Sequence, residues 1–111
     1  MAKFTHTLTG NFDTVLRRIE KGILDASVSA TLEDGWDVRE GNTRCAVRVF
    51  ERYSYAGNNR VSMNITLLQA PHSPTQVCAI TSGGSQAMFW KINTWGEETF
   101  LDTLRDLLDG L

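Results

Sequence analysis

The chain shows two hydrophobic periods, and their order along the sequence constrains the fold more than any other feature. Apolar residues recur at helical spacing only in residues 12–25 and 94–111. Elsewhere apolar and polar residues alternate, as they do in strands that bury one face. This order predicts an α+β fold in which an antiparallel sheet is covered on one face by two helices, β-α-β-β-β-β(-β)-α. A helix-grip arrangement fits that order.

The alternating segments predict up to six strands. Residues 34–42 interrupt this pattern with turn dipeptides, so they are interpreted as a loop or a kinked strand end that carries Trp36 and Val38. Gly57, Asn58 and Asn59 tolerate positive φ and predict a tight hairpin. The predicted strands are 3–9, 28–33, 44–55, 61–67, 75–81 and 87–93.

Each predicted helix has a start signal. Asn11 is a good N-cap for the first helix, and Thr94 with Glu97 forms a capping box for the second. Within the first helix, Gly22 indicates either close packing against a neighbour or early fraying.

Length and charge narrow the class of protein. A chain of 111 residues predicts one domain, 1–111, that needs no cofactor to fold. The net charge of -2 argues against nucleic acid and anionic membranes as partners. Without an apolar run long enough to span a bilayer or to act as a signal peptide, the expected location is cytoplasmic. Cys45 and Cys78 lie in apolar strand-like runs and are predicted to be reduced, with no zinc site.

The glycine segment 82–86 superficially matches a catalytic motif. Gly83-Gly84-Ser85-Gln86-Ala87 resembles a nucleophile elbow, but Ala87 replaces the final glycine and a strand, not a helix, is predicted to follow. A turn is therefore favoured over a catalytic Ser85. The segment also lacks a P-loop ending, although its backbone N–H groups could hold an anion.

Histidines and arginines provide the other candidate sites. His6 lies on the apolar face of the first strand, as a general base or, more commonly, a hydrogen-bonded core residue. His72 lies in the proline loop, and no metal site is predicted. Arg44, Arg48 and Arg52 share one strand face and predict an exposed basic stripe. The stripe could bind nucleic acid, but the acidic composition favours a solvated face paired with carboxylates.

Two segments, AITSGGSQAMFWKINTWGEETFL (79–101) and VFERYSYAGNNRVSMNITL (49–67), carry a family resemblance. They resemble an uncharacterised bacterial domain family of unknown function found chiefly in Firmicutes, and the likeness spans nearly the whole chain. The resemblance implies a small cytosolic protein with the β-α-β4-α topology of the TATA-binding-protein-like fold. It implies no activity.

The segment 87–92 is apolar on both faces, which predicts that a dimer partner, a ligand or the residues around Trp36 cover it. The leading hypothesis is therefore a non-catalytic module that binds a small apolar ligand or a second copy of itself. The alternative is a small enzyme with a cleft between sheet and helix that uses His6 or Ser85. The predicted ligand or interface residues are Gly83, Gly84, Ser85, Gln86, Met88, Phe89 and Trp90.

Overall fold

The computed structural model describes residues 1–54, 59–83 and 90–111. The described strands form one antiparallel sheet in the order β1-β5-β4-β3-β2. This confirms the predicted α+β class and element order, while the helix-grip and TATA-binding-protein-like assignments stay predictions. The elements are β1 (Ala2–Leu8), α1 (Phe12–Ala26), β2 (Thr31–Glu40), β3 (Thr43–Ser54), β4 (Asn59–Gln69), β5 (Thr75–Gly83) and α2 (Trp90–Asp109).

The core lies between the two helices and one face of the sheet, called here the covered face. The central strand β4 contributes four fully buried side chains, because every second residue of that strand points to the helices. They are Val61, Met63, Ile65 and Leu67. Buried residues of α1 and α2 belong to the same apolar cluster, among them Ile19, Ile23, Phe100, Leu101 and Leu104.

Helix α1 begins where the sequence predicts. The side chain of Asn11 accepts a hydrogen bond from the backbone N–H of Thr14 at 3.0 Å, as an N-cap does. Further along α1, a methyl group added to Gly22 would overlap both methyl groups of Leu107 in α2. Of the two interpretations of Gly22, the structure supports close packing between the helices.

Strand β2 corrects the interpretation of its region. The predicted strand began at residue 28, but Val28 is fully exposed and precedes β2, which runs from Thr31 to Glu40. Pairing with β3 shifts between Leu32 and Asp34, which marks a β-bulge. Residues 34–40, whose composition is typical of a turn, therefore belong to a strand. The β-bulge that precedes them is not visible in the alternation of the sequence.

Helix α2 corrects the end of the predicted sheet. Residues 90–93 are helical, so the predicted strand 87–93 is wrong there, and residues 87–89 lie outside the described part. Thr94 lies inside the helix, and the predicted capping box is also wrong. Glu97 is buried, with Oε2 2.6 Å from the amino group of Met1. Residues 90–93 fit the alternation of a strand, but they form the first turn of α2.

The predicted exposed arginine stripe lies instead on the covered face. On β3, Phe50 and Ala46 are buried against the helices, and the two-residue period places Arg44, Arg48 and Arg52 on the same side. The aromatic side chain decides which face packs, because burying Phe50 removes a large apolar area from water. The guanidinium groups of these arginines must therefore extend to polar partners at the margins of the helices.

Each arginine of this row has such a partner. Arg44 forms an ion pair with Asp13 of α1 at 2.8 Å, and this contact lowers the pKa of Asp13 and raises that of Arg44. Arg52 donates to Thr103 Oγ1 at 3.3 Å and lies 4.5 Å from the centre of the Phe100 ring. Burial lowers the pKa of Arg52 by penalising its charged form.

Arg48 connects three elements. Its Nε donates to Glu20 of α1 at 3.3 Å, and its Nη2 donates to both carboxylate oxygens of Asp37 of β2 at 3.1 Å. Only 11% of the Arg48 side chain is exposed. Arg48 therefore fixes α1 and the edge strand β2 to β3.

The Gly22 contact predicts a cost for a minimal substitution. Gly22→Ala should lower the free energy of unfolding by up to about 2 kcal/mol, because an overpacking cost of about 1–3 kcal/mol at Leu107 exceeds the gain of about 1 kcal/mol from the helix propensity of alanine. Urea unfolding measures the loss. Gly110→Ala is the control, since its added methyl makes only ordinary contacts. Truncation of Leu107 removes the overlap, so the double variant Gly22→Ala/Leu107→Ala should lose less stability than the sum of the two single losses. Losses that simply add would show that the overlap is not the cause.

The bridging role of Arg48 predicts unequal costs among the arginines. Arg48→Ala should lower the free energy of unfolding by about 1–3 kcal/mol, since it removes packed methylenes and both ion pairs. Arg60→Ala, at a half-exposed pair with Glu51, should cost less than about 1 kcal/mol. Chemical denaturation of both variants checks this, and equal losses would contradict it.

Candidate functional site

The face of the sheet opposite the helices, called here the open face, is the candidate site. Its strands β1 and β4 have the polar side chains expected of a solvated face, such as Lys3, Thr5 and Asn64. The neighbouring strand β3 differs: its outward positions include Cys45, Val47 and Val49, and all three are only partly buried. Folding does not require apolar residues at the outward positions of a solvated sheet, so this set indicates an interaction site.

The apolar surface continues across the sheet from β3. On β2, Trp36 lies opposite Val47 and is 61% exposed, and Val38 lies opposite Cys45. On the other side of β3, Leu68 of β4 is 45% exposed, and Ile80 of β5 is 40% exposed. Together they form the open-face patch, which consists of Trp36, Val38, Cys45, Val47, Val49, Leu68, Cys78 and Ile80.

Register arranges the open face in three cross-strand rows. The first is Val38, Cys45, Leu68, Gln76 and Thr7; the second is Trp36, Val47, Thr66, Cys78 and Thr5; the third is Asp34, Val49, Asn64, Ile80 and Lys3. Each row reads from β2 to β1. The only charged members, Asp34 and Lys3, stand at opposite edges of the third row.

A polar cluster bounds the patch at one end. Arg60 Nε donates to Glu51 at 3.0 Å, and Arg60 Nη2 donates to Thr31 at 3.2 Å. The Thr31 hydroxyl in turn donates to Glu33. These charges are engaged with one another, so this end is a rim of paired polar groups and not a free basic surface.

The predicted site residues fall on different parts of the chain. Gly83 ends β5 and pairs with Val61 of β4. Gly84, Ser85, Gln86, Met88 and Phe89 lie outside the described residues. Trp90 is the first residue of α2. The interface predicted from these residues stays a prediction, whereas the open-face patch was missed.

A signal for that patch was present in the sequence. The alternation of β3 offers two faces, one with Phe50 among arginines and one with Cys45, Val47 and Val49. Both faces carry apolar residues, which is unusual for a strand with one solvated side. The same surplus of apolar residues predicts an interface at residues 87–92.

The two histidines lie on different elements, His6 on β1 and His72 in the β4–β5 connection. His6 is partly buried on the covered side of β1, with its ring stacked on that of Phe4 at 5.7 Å. His72, with φ of 58°, lines an open cleft of about 580 Å³ formed by the β1–α1, β2–β3 and β4–β5 connections. Of the nine residues lining that cleft, His72 alone has an acid–base side chain. The cleft therefore offers no acid–base pair of its own.

Metal binding and membrane insertion can be judged for residues 1–54, 59–83 and 90–111. No group of three or more His, Cys, Asp or Glu residues there could hold a metal ion. No helix in this part of the chain is long and apolar enough to cross a membrane. Cys45 and Cys78 are free thiols on strands separated by β4.

Comparison with known proteins identifies the family. Residues 1–111 match a family of unknown function (DUF6054), and the chain belongs to that family. This confirms the predicted membership of an uncharacterised family across the whole chain; origin in Firmicutes stays a prediction. No curated protein and no solved structure matches the chain.

Proposed function

We propose that this member of DUF6054 is a non-catalytic, cytoplasmic self-association module that pairs with a second copy through its open face. The observation that carries the proposal is the apolar set on β2 and β3, above all the exposed Trp36 and the partly buried Val47 and Val49. A sheet needs only one apolar face to fold, and the helices already cover that face. A second apolar face is best used by a partner.

The size of the face supports a protein partner over a small ligand. Strand spacings predict that the three rows cover roughly 400 Å² and the whole open face roughly 700 Å². Stable protein interfaces bury about 800 Å² on each partner. The open face is a surface and not an enclosed pocket, whereas small apolar ligands bind in concave sites that bury most of their area.

The charges of the face support the non-catalytic part of the proposal. Among the described residues of the open face, Arg60 and Glu51 are paired, and Lys3 and Asp34 lie at opposite edges. An enzyme needs acid, base and nucleophile within reach of one another. The patch offers two thiols among aliphatic side chains, which suits apolar contact.

The interface that the sequence predicts at residues 83–86 and 88–90 stays a separate proposal. A small apolar ligand at that segment remains the second form of the same hypothesis. The association experiments below test the open face. A dimer Kd that changes when a small apolar ligand is added would favour ligand binding at that segment.

The proposal predicts concentration-dependent dimers that a single substitution disrupts. Analytical ultracentrifugation of the natural chain should show a monomer–dimer equilibrium between micromolar and millimolar concentration. Leu68→Lys should raise the Kd at least about 30-fold, because roughly 1 kcal/mol of residual burial is lost at each of two copies. The monomer should stay folded, since the change is at an exposed position.

The matched control is Leu24→Lys. Leu24 is 37% exposed on α1, on the helix side of the sheet, so it has the same chemistry at a different surface. Its Kd should stay within about twofold of the natural value. A chain that remains monomeric at every concentration, or dimers equally insensitive to both substitutions, would refute the proposal.

A further inference from the structure

We infer that the two copies pair about a two-fold axis that runs along β4, so that each cross-strand row faces the same row of the partner in reverse. This inference rests on the proposed self-association and specifies its geometry. It follows from the register of the open face, because β4 is the third of five strands and has two strands on either side. Rotation about β4 exchanges β1 with β2 and β5 with β3.

The charged ends of the third row support this axis. Lys3 and Asp34 stand at its two ends, each two strands from Asn64 of β4. Reversal of the row places Lys3 opposite the partner's Asp34, and the partner's Lys3 opposite Asp34. Opposite charges then meet at both edges of the interface, which fixes register. Lys3 forms no ion pair with any residue of the described ranges, so its ammonium is available.

Three apolar pairs also meet under this reversal. Ile80 comes to lie opposite the partner's Val49, and Cys78 opposite the partner's Val47. On the axis itself, Leu68 faces the partner's Leu68. These three pairs join apolar groups, as the buried centre of an interface requires, whereas Gln76, Thr7 and Thr5 come to lie opposite the partner's Cys45, Val38 and Trp36. Packed sheets lie about 10 Å apart with strands within about 30° of each other, so these residues remain in reach.

A two-fold axis across the strands loses the pairing of Lys3 with the partner's Asp34. Centred on the third row, it places Lys3 opposite Lys3 and Asp34 opposite Asp34 of the partner, which is repulsive. Centred on the second row, it places Leu68 opposite the partner's Asn64, and Ile80 opposite the partner's Gln76. Of these axes, the one along β4 alone brings Lys3 and Asp34 of opposite copies together.

Cross-linking of single cysteines distinguishes the two axes. In a Cys45→Ala/Cys78→Ala background, Asn64→Cys, Thr66→Cys and Leu68→Cys should each be joined to their own copies by a short bifunctional maleimide, because all three lie on the axis. Val47→Cys, which lies off the axis in the same row as Thr66, should react at a small fraction of that yield. Cross-linking at Val47 and Thr66, but not at Asn64 and Leu68, would overturn the inference.

A charge exchange tests the same geometry with both natural cysteines retained. Lys3→Glu should raise the Kd roughly 3- to 10-fold, and so should Asp34→Lys. The double variant Lys3→Glu/Asp34→Lys should return to within about twofold of the natural Kd at low salt. Losses that add without rescue would overturn the inference.

The outcomes separate the two proposals. A chain that never dimerises refutes self-association itself. Another outcome is that Leu68→Lys dissociates the dimers, the double variant Lys3→Glu/Asp34→Lys shows no rescue, and cross-links form at Val47 and Thr66 only. That outcome leaves self-association intact and refutes only the axis along β4.

Discussion

The packing of two helices against one face of a five-stranded sheet is the constraint on which the rest of this structure depends. Burial of Phe50 of β3 and of the four apolar residues of β4 determines which face is covered. Phe100 and Leu104 of α2 belong to the same buried cluster. Once these side chains are buried, the two-residue period of a strand determines the side on which every other residue lies. The arginines of β3 and the aliphatic residues between them acquire their environments from that choice.

The covered face accommodates charge at its margin. Arg44 and Arg52 each place a guanidinium over an aromatic ring, that of Phe12 at 4.4 Å and that of Phe100 at 4.5 Å. Arg48 links α1 to β2 through two carboxylates. These contacts connect the edge of the sheet to the helices, and they occupy the basic residues that would otherwise suggest an anionic partner. The aliphatic residues of β3 lie on the other side of the sheet.

Much of the fold was predictable because local patterns agree with it. The N-cap at Asn11, the alternation of β4 and the apolar stripe of α2 each predict an element that the structure contains. The errors occur where a short pattern fits two structures. Residues 90–93 alternate like a strand but are helical, and residues 34–40 contain turn residues but pair with β3. Neither ambiguity can be resolved from neighbouring residues alone, since tertiary partners override weak local preferences.

The sequence by itself determined the class of fold, the order of elements and the two alternating faces of each strand, because period and caps are properties of adjacent residues. Only the tertiary structure decided which face of β3 is covered. Cys45, Val47 and Val49 on one side and Phe50 among arginines on the other are both acceptable in an isolated strand. Burial is a property of what packs across the sheet, so the open-face patch became visible only when Phe50 was placed beneath the helices.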